Sequence, residues 1–287
     1  MSPLRKGVGD PTYRSDRDGA VWRGIRTPVG TTTLRVRRQG GEVCASAWGE
    51  GADWALGALP TMLGAGDDPT GFEPGRHPLV AALHRRHPHL RIGRTGLVWE
   101  ALLPTVIEQK VTGQEAFAGY RRLVRRFGER APGAGGERDL WVAPGPETVR
   151  AIPSWEWLRL PVDPARSRTI VTAAARAGAL ERTIGLPGDE VDRRLQSLPG
   201  VGVWTSAEVR LRAHGDADAV SFGDYNVAKQ VGFALTGAPV DDQEMERLLA
   251  PFRPHRARVV RLIRMAGPRI ERRGPRLPPR SHLPGRV

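Results

Sequence analysis

The sequence predicts an α+β protein, a mostly helical body with a small antiparallel sheet near its N-terminus. Three observations lead there. Residues 21–48 alternate in hydropathy as strands do, and residues 79–266 carry helical periodicity with few breaks. The third is a five-residue glycine reversal, Leu198-Pro199-Gly200-Val201-Gly202, joining two of those helical patterns.

Taken in order, the first 20 residues are polar and punctuated by Gly and Pro, which predicts irregular chain. VWRGIRT, TTTLRVRR and EVCASAWG then read as strands, the last two joined at Gln39-Gly40-Gly41, with Cys44 a small apolar residue in the third. A helix over 53–63 would cover one face of this sheet. The Gly-, Pro- and Asp-rich stretch 64–78 marks the boundary to the helical region. Helices are expected over 79–87, 96–111, 114–127, 146–152, 163–180, 189–197, 203–213, 225–236, 242–249 and 255–266. The pattern over 114–127 is the clearest: Phe117, Tyr120, Leu123, Val124 and Phe127 share one face, and Arg121, Arg122, Arg125 and Arg126 form a solvated opposite face. A Gly-rich connector occupies 131–137. The last twenty residues hold six Arg and five Pro and should form no packed element, either an unstructured tail or a non-specific phosphate contact. The expected organisation is an N-terminal α/β subdomain over 1–75, a helical core over 76–267 and the tail over 268–287.

The 287 residues suffice for a substantial core. Net charge is +13, which favours a polyanionic partner, yet almost all of it is Arg, and only Lys6, Lys110 and Lys229 are lysines. With abundant Ala, Gly and Pro, that bias also fits a GC-rich genome. Composition alone therefore does not establish DNA binding. A single cysteine excludes an internal disulfide framework, a four-cysteine zinc site and a four-cysteine iron–sulfur cluster. No apolar run approaches membrane-spanning length, and the N-terminal residues lack a signal-peptide core. A soluble, cytoplasmic, monomeric protein is expected, with no membrane partner.

The glycine reversal carries the most specific signal. A turn this short needs glycine backbone angles, and it leaves N–H groups of Gly200, Gly202 and the next helix's first turn unpaired beside the positive end of a helix dipole. That arrangement suits a DNA phosphate. An ordinary helix–helix corner is the plainer alternative. Some twenty residues on comes Ser221-Phe222-Gly223-Asp224-Tyr225, an acid at the start of another helical pattern. In this hairpin and the acid that follows it, the chain resembles the helix-hairpin-helix DNA glycosylase superfamily. Trp204-Thr205 and Asp224-Tyr225 are similar to its bacterial 3-methyladenine DNA glycosylase II branch. The resemblance runs over roughly 27–267 and is strongest at 106–128 and 189–230.

The resemblance implies an enzyme that flips a damaged base out of double-stranded DNA and hydrolyses its N-glycosidic bond. Gly200, Val201, Gly202 and Thr205 would grip a phosphate. Gln109, Lys110 and Thr112 would lie in the loop that enters the duplex, with Lys110 where relatives often have Leu or Gln. Asp224 would be the carboxylate that stabilises the oxocarbenium-like transition state, although an Asp there also suits a helix N-cap. Trp204 stands where glycosylases that also cut the backbone carry a lysine nucleophile, so the implied enzyme leaves an abasic site without a nick. Trp204, Glu208, Tyr225 and Arg264 would form the base pocket. The implied lesion is an alkylated base; Glu208 and Arg264 stand where the branch has aromatic residues, so weaker preference for cationic bases is expected, and a neutral lesion such as hypoxanthine is the alternative if the two pair across the pocket. Carbonyls of Gln196, Leu198 and Val201 would hold Na⁺ or K⁺; no other cofactor is implied. A non-catalytic DNA-binding protein using the same hairpin is the alternative.

Overall fold

The computed structural model describes residues 4–270. It has the expected α+β architecture. The sheet is a four-stranded antiparallel meander in the order β1 (Tyr13–Ser15), β2 (Val21–Thr27), β3 (Gly30–Gln39) and β4 (Glu42–Trp48). Gln39 pairs with Glu42, so Gly40-Gly41 is a two-residue hairpin turn, and both glycines take positive φ, 59° and 88°. Helix α1 (Ala52–Met62) lays Leu59 and Met62 on Ile25, Leu34 and Val36 of the sheet.

The helical region begins with α2 (Pro78–Arg86), α3 (Val98–Ile107) and α4 (Gly113–Phe127). A small hairpin of β5 (Glu129–Arg130) and β6 (Trp141–Val142) encloses the single turn α5 (Ala134–Glu137), and α6 (Pro146–Ala151) and α7 (Ser154–Trp157) follow. Then come α8 (Pro164–Ala175), α9 (Ala177–Glu181), α10 (Gly188–Gln196) and α11 (Val203–Val209), the last continuing as a π-helical turn over Arg210–His214. The chain closes with α12 (Val227–Thr236), α13 (Asp242–Leu249) and α14 (Arg256–Ala266). None of the described helices is long and apolar enough to cross a membrane.

Two apolar cores organise the helices. One gathers Leu102, Ile107, Leu123, Ile170, Leu195, Val201 and Val209, drawn from α3, α4, α8, α10, the glycine turn and α11. The other gathers Leu83, Val220, Val227, Met245, Leu249 and Ile263 from the C-terminal helices, α2 and the stretch before α12. The hairpin thus belongs to the first core and the Asp224 segment to the second, so the two face each other across the seam. A fully buried ion pair, Arg258 with Asp67 at 2.6 Å, ties the loop before α2 to α14.

Several sequence expectations need correction. The first 20 residues are not irregular throughout: Tyr13–Ser15 is a strand, and Lys6, Asp10 and Thr12 are buried. Asp10 accepts from the backbone N–H of Lys6 and Thr12, folding residues 6–12 into a compact turn that polar composition hid. The expected helix over 163–180 is two helices meeting at Arg176. The connector over 131–137 includes the turn α5, held on the sheet side of the molecule with Ala131 beside Trp22 and Val142. Cys44 lies in a strand but is exposed. The α4 arginines do form an exposed face as expected, with surface partners for three of them: Arg121 donates to the Val8 carbonyl, Arg125 pairs with Asp139 and Arg126 with Glu156. Most of the tail, 271–287, lies outside the described residues.

Candidate active site

The glycine reversal forms as its sequence requires. Val201 N–H donates to the Leu198 carbonyl at 3.0 Å, closing the turn, and Leu198 and Val201 bury their side chains in the first core. Gly200 has φ 85°, and a Cβ there would lie 2.0 Å from Thr169 Oγ1 of α8; both conformation and space demand glycine. Gly202 is different. It is the N-cap of α11, makes no side-chain cap, and a Cβ added to it would meet open space. The first turn of α11 therefore opens to solvent, as a phosphate-binding turn must. Thr205 departs from expectation: it is buried, and its hydroxyl accepts from Gln109 Nε2 at 2.7 Å, so it braces a neighbouring loop instead of facing outward.

That loop follows α3. Gln109 Nε2 also donates to the Gly200 carbonyl at 2.9 Å, which locks the loop to the hairpin. Lys110 is exposed with φ 53°, a left-handed conformation unusual for a residue with a side chain, and sits at the loop's tip. Thr112 is the N-cap of α4 in a reciprocal capping box with Glu115, so its hydroxyl is committed to the helix.

Across the seam, Ser221 to Asp224 turn tightly through Gly223, φ 85°, whose N–H donates to Asp242 at 2.8 Å. Asp224 Oδ1 accepts from the N–H groups of Asn226 (2.8 Å) and Val227 (3.1 Å), a turn that leads into α12, whose N-cap is Asn226 and not Asp224. Its second oxygen, Oδ2, faces the indole N–H of Trp204 at 3.4 Å. These two bonds fix the carboxylate without consuming it. Trp204 is half-buried, whereas Tyr225 is 76% exposed and lies under the Lys229 ammonium, 3.6 Å from the ring centre. Among the described residues, Trp204 is the aromatic group hydrogen-bonded to Asp224.

Glu208 and Arg264 do not pair. Arg264 is exposed, and Glu208, one turn after Trp204, is buried, accepting from Ser221 Oγ and from Arg212 at 2.5 Å. Burial disfavours the Glu208 carboxylate, but Arg212, Ser221 and Lys6 together hold it below the usual carboxylate range. Lys6, from the N-terminal turn, pairs with Glu108 at 2.9 Å beside the same group; burial, with Arg212 adding to it, lowers the Lys6 ammonium despite that pairing. Arg212 is raised, the two carboxylates overcoming its own burial. Sequence reading missed Lys6, Glu108 as an ion-pair partner, and Arg212. The i, i+4 spacing of Glu208 and Arg212 was a readable signal. Nothing local could have brought Lys6 across a hundred residues.

The resemblance implied a monovalent cation on the carbonyls of Gln196, Leu198 and Val201; of these, the Leu198 carbonyl accepts from Val201 N–H within the turn.

No protein-family model matches the chain. Curated relatives in two strains of Mycobacterium tuberculosis, described as probable bifunctional transcriptional activator/DNA repair enzyme AlkA, are 26% identical over 260 residues, covering 86% of this chain and 50% of theirs. The chain thus spans about half the length of the curated relatives it matches. Among solved structures, the 3-methyladenine DNA glycosylase of Archaeoglobus fulgidus superposes with TM-score 0.72 at 18% identity, covering 88% of each chain. The 8-oxoguanine glycosylase/lyase of Clostridium acetobutylicum, solved with double-stranded DNA containing cytosine opposite 8-oxoguanine, gives 0.71 at 14% identity, covering 92% of this chain and 88% of that one. The resemblance read from the hairpin is borne out, and the chain has the fold of the helix-hairpin-helix DNA glycosylases.

Proposed function

We propose that this protein is a DNA glycosylase of base excision repair that binds duplex DNA through the hairpin, receives one extruded damaged base and hydrolyses its N-glycosidic bond. The carrying observation is Asp224: two backbone N–H groups fix one carboxylate oxygen and leave the other beside Trp204 at the seam. Positive charge grows on the deoxyribose as the bond breaks, and a preoriented carboxylate stabilises it without reorganising. The same group orients or deprotonates the attacking water. Gly202 and the open first turn of α11 grip a phosphate, assisted by a monovalent cation on the turn carbonyls. Gln109 and Lys110 lie where the flipped nucleotide leaves its gap; Lys110, at the exposed tip, reaches a base edge or phosphate more readily than it wedges. Trp204 has no nucleophilic atom, so the reaction ends at an abasic site.

The test is incubation with duplexes each carrying a single altered base, followed by hot alkali. Alkali-dependent breaks at the lesion, without breaks beforehand, are expected. Lesion-independent binding with no abasic product would make the protein a non-catalytic hairpin DNA binder.

A further inference from the structure

The turn that carries Asp224 is anchored at its ends and held in its middle. Val220 before it and Val227 after it are buried in the second core. Asp224 N–H donates to the Ser221 carbonyl at 3.3 Å, and Asp224 Oδ1 accepts from Asn226 and Val227, so the carboxylate is oriented within its own turn. Those bonds do not set where the turn stands against the hairpin, which belongs to the first core. Two other carboxylates reach the turn, one from each side of the seam. From α11, buried Glu208 accepts from Ser221 Oγ with one oxygen and from Arg212 at 2.5 Å with the other. From the first residue of α13, Asp242 accepts from Gly223 N–H at 2.8 Å. Among the described residues the other Asp242 oxygen is buried without a partner. An oxygen left so is unfavourable, so the bond to Gly223 is what accounts for the placement of this side chain. Gly223 also lies against the hairpin side: a Cβ on it would be 4.0 Å from the Trp204 Cβ.

We propose, building on the glycosylase reading, that Glu208 and Asp242 are positioning residues, which act on the reaction through Asp224 by fixing its turn between the hairpin and α13. A hydroxyl or amide N–H bonded to a carboxylate is a short, strong restraint. Glu208 is held in place by Arg212, so the Ser221 bond ties the turn to the helix whose first turn is the proposed phosphate grip. With the DNA fixed on α11, the reacting sugar must meet Asp224 at a set distance, and a misplacement of about 1 Å can slow a reaction roughly 10²-fold. Both oxygens of Glu208 are engaged, which makes it a brace of the acid turn and not the pocket group its place in the sequence suggests.

The experiment measures single-turnover base release and duplex affinity, on whichever duplex wild type cleaves best among those carrying hypoxanthine, 8-oxoguanine, 7-methylguanine or 3-methyladenine. Ser221→Ala cuts one tether and leaves Glu208 paired with Arg212; Asp242→Ala cuts the other, and Asp242→Asn keeps a carbonyl for Gly223 N–H. Each alanine variant, shown to be folded by circular dichroism, should release base about tenfold more slowly at unchanged affinity, and Asp242→Asn should stay within about threefold of wild type. In an Asp224→Asn background the same alanine changes should slow the residual release by less than about twofold, because the loss of a residue that acts through Asp224 does not add to the loss of Asp224 itself. A wild-type rate in a folded alanine variant would overturn the role of the carboxylate it disconnects. Equal slowing with and without the Asp224 carboxylate would overturn the inference as a whole, and either result leaves the glycosylase reading standing. No release from any of the four duplexes by wild type, together with lesion-independent binding, would overturn both.

Discussion

At the residue scale, single positions show how much of the site is forced. Gly200 combines φ 85° with a Thr169 hydroxyl 2.0 Å from any added Cβ. Gly200→Ala should therefore destabilise by more than the roughly 1 kcal/mol of backbone strain alone, and Thr169→Ala should recover only the steric part. Urea denaturation of the single and double variants checks this; an unaffected midpoint in Gly200→Ala would contradict the turn geometry. In the function proposed here Trp204 stands in place of a Schiff-base lysine, so borohydride reduction during turnover should trap no covalent protein–DNA adduct. His214 is shifted by burial, opposed by Asp216 and aided by Arg210 and Arg94, from 6.5 down to about 4. The unfolded chain thus binds a proton that the folded one refuses between those values, and His214's stabilising contribution, full above pH 6.5, is lost as pH falls toward 4. Glu208, whose carboxylate is also held low, loses its contribution in acid in the same direction. His214→Gln should flatten the fall in melting temperature over pH 6.5 to 4. An unchanged slope would show that His214 is not the group responsible.

At the element scale, what was legible in the sequence was local. The hairpin and the amphipathic α4 are written in contiguous residues and form as read, whereas the helix after Asp224 starts two residues later than an Asp224 N-cap requires, with Asn226 as its N-cap. The fate of 4–12 was not legible, because a polar, glycine-punctuated stretch gives no periodicity. Its order comes from partners far along the chain: Lys6 on Glu108, Gly7 against Phe117, and the Pro11 carbonyl accepting from Trp141 N–H. The Glu208 partner was misjudged for a related reason. Position relative to the aromatic branch suggested Arg264, whereas helix geometry put Arg212 closer and exposed Arg264 to solvent. The N-terminal turn thereby supports the loop that carries Gln109 and Lys110. Lys6→Met leaves Glu108 a partly buried carboxylate without its ammonium and should cost about 3 kcal/mol, while Lys6→Met with Glu108→Gln should restore most of it. A chemical denaturation cycle reads the coupling, and additive effects would show that the pair does not act as a unit.

At the scale of the whole molecule, the two apolar cores explain why the hairpin and Asp224 meet although twenty residues separate them. One core carries the glycine turn and the other the Asp224 segment, and in the function proposed here the seam between them receives the extruded base. Composition indicated a polyanion through its charge of +13 but could not name DNA; the proposal of DNA rests on the hairpin with its open N-terminal turn. Duplex affinity should fall steeply with salt, the log–log slope reporting several neutralised phosphates, and a flat response from low to moderate salt would argue against DNA as the partner. The central claim is that Asp224 acts through its charge. Asp224→Asn separates this from holding the turn, because the amide keeps a carbonyl to accept from Asn226 and Val227. The deciding measurement is single-turnover base release by Asp224→Asn and wild type on the duplex that wild type cleaves best, alongside binding to the same duplex. Unchanged affinity with release slowed at least about 10²-fold is predicted; near wild-type release would reduce Asp224 to a turn residue and contradict the account.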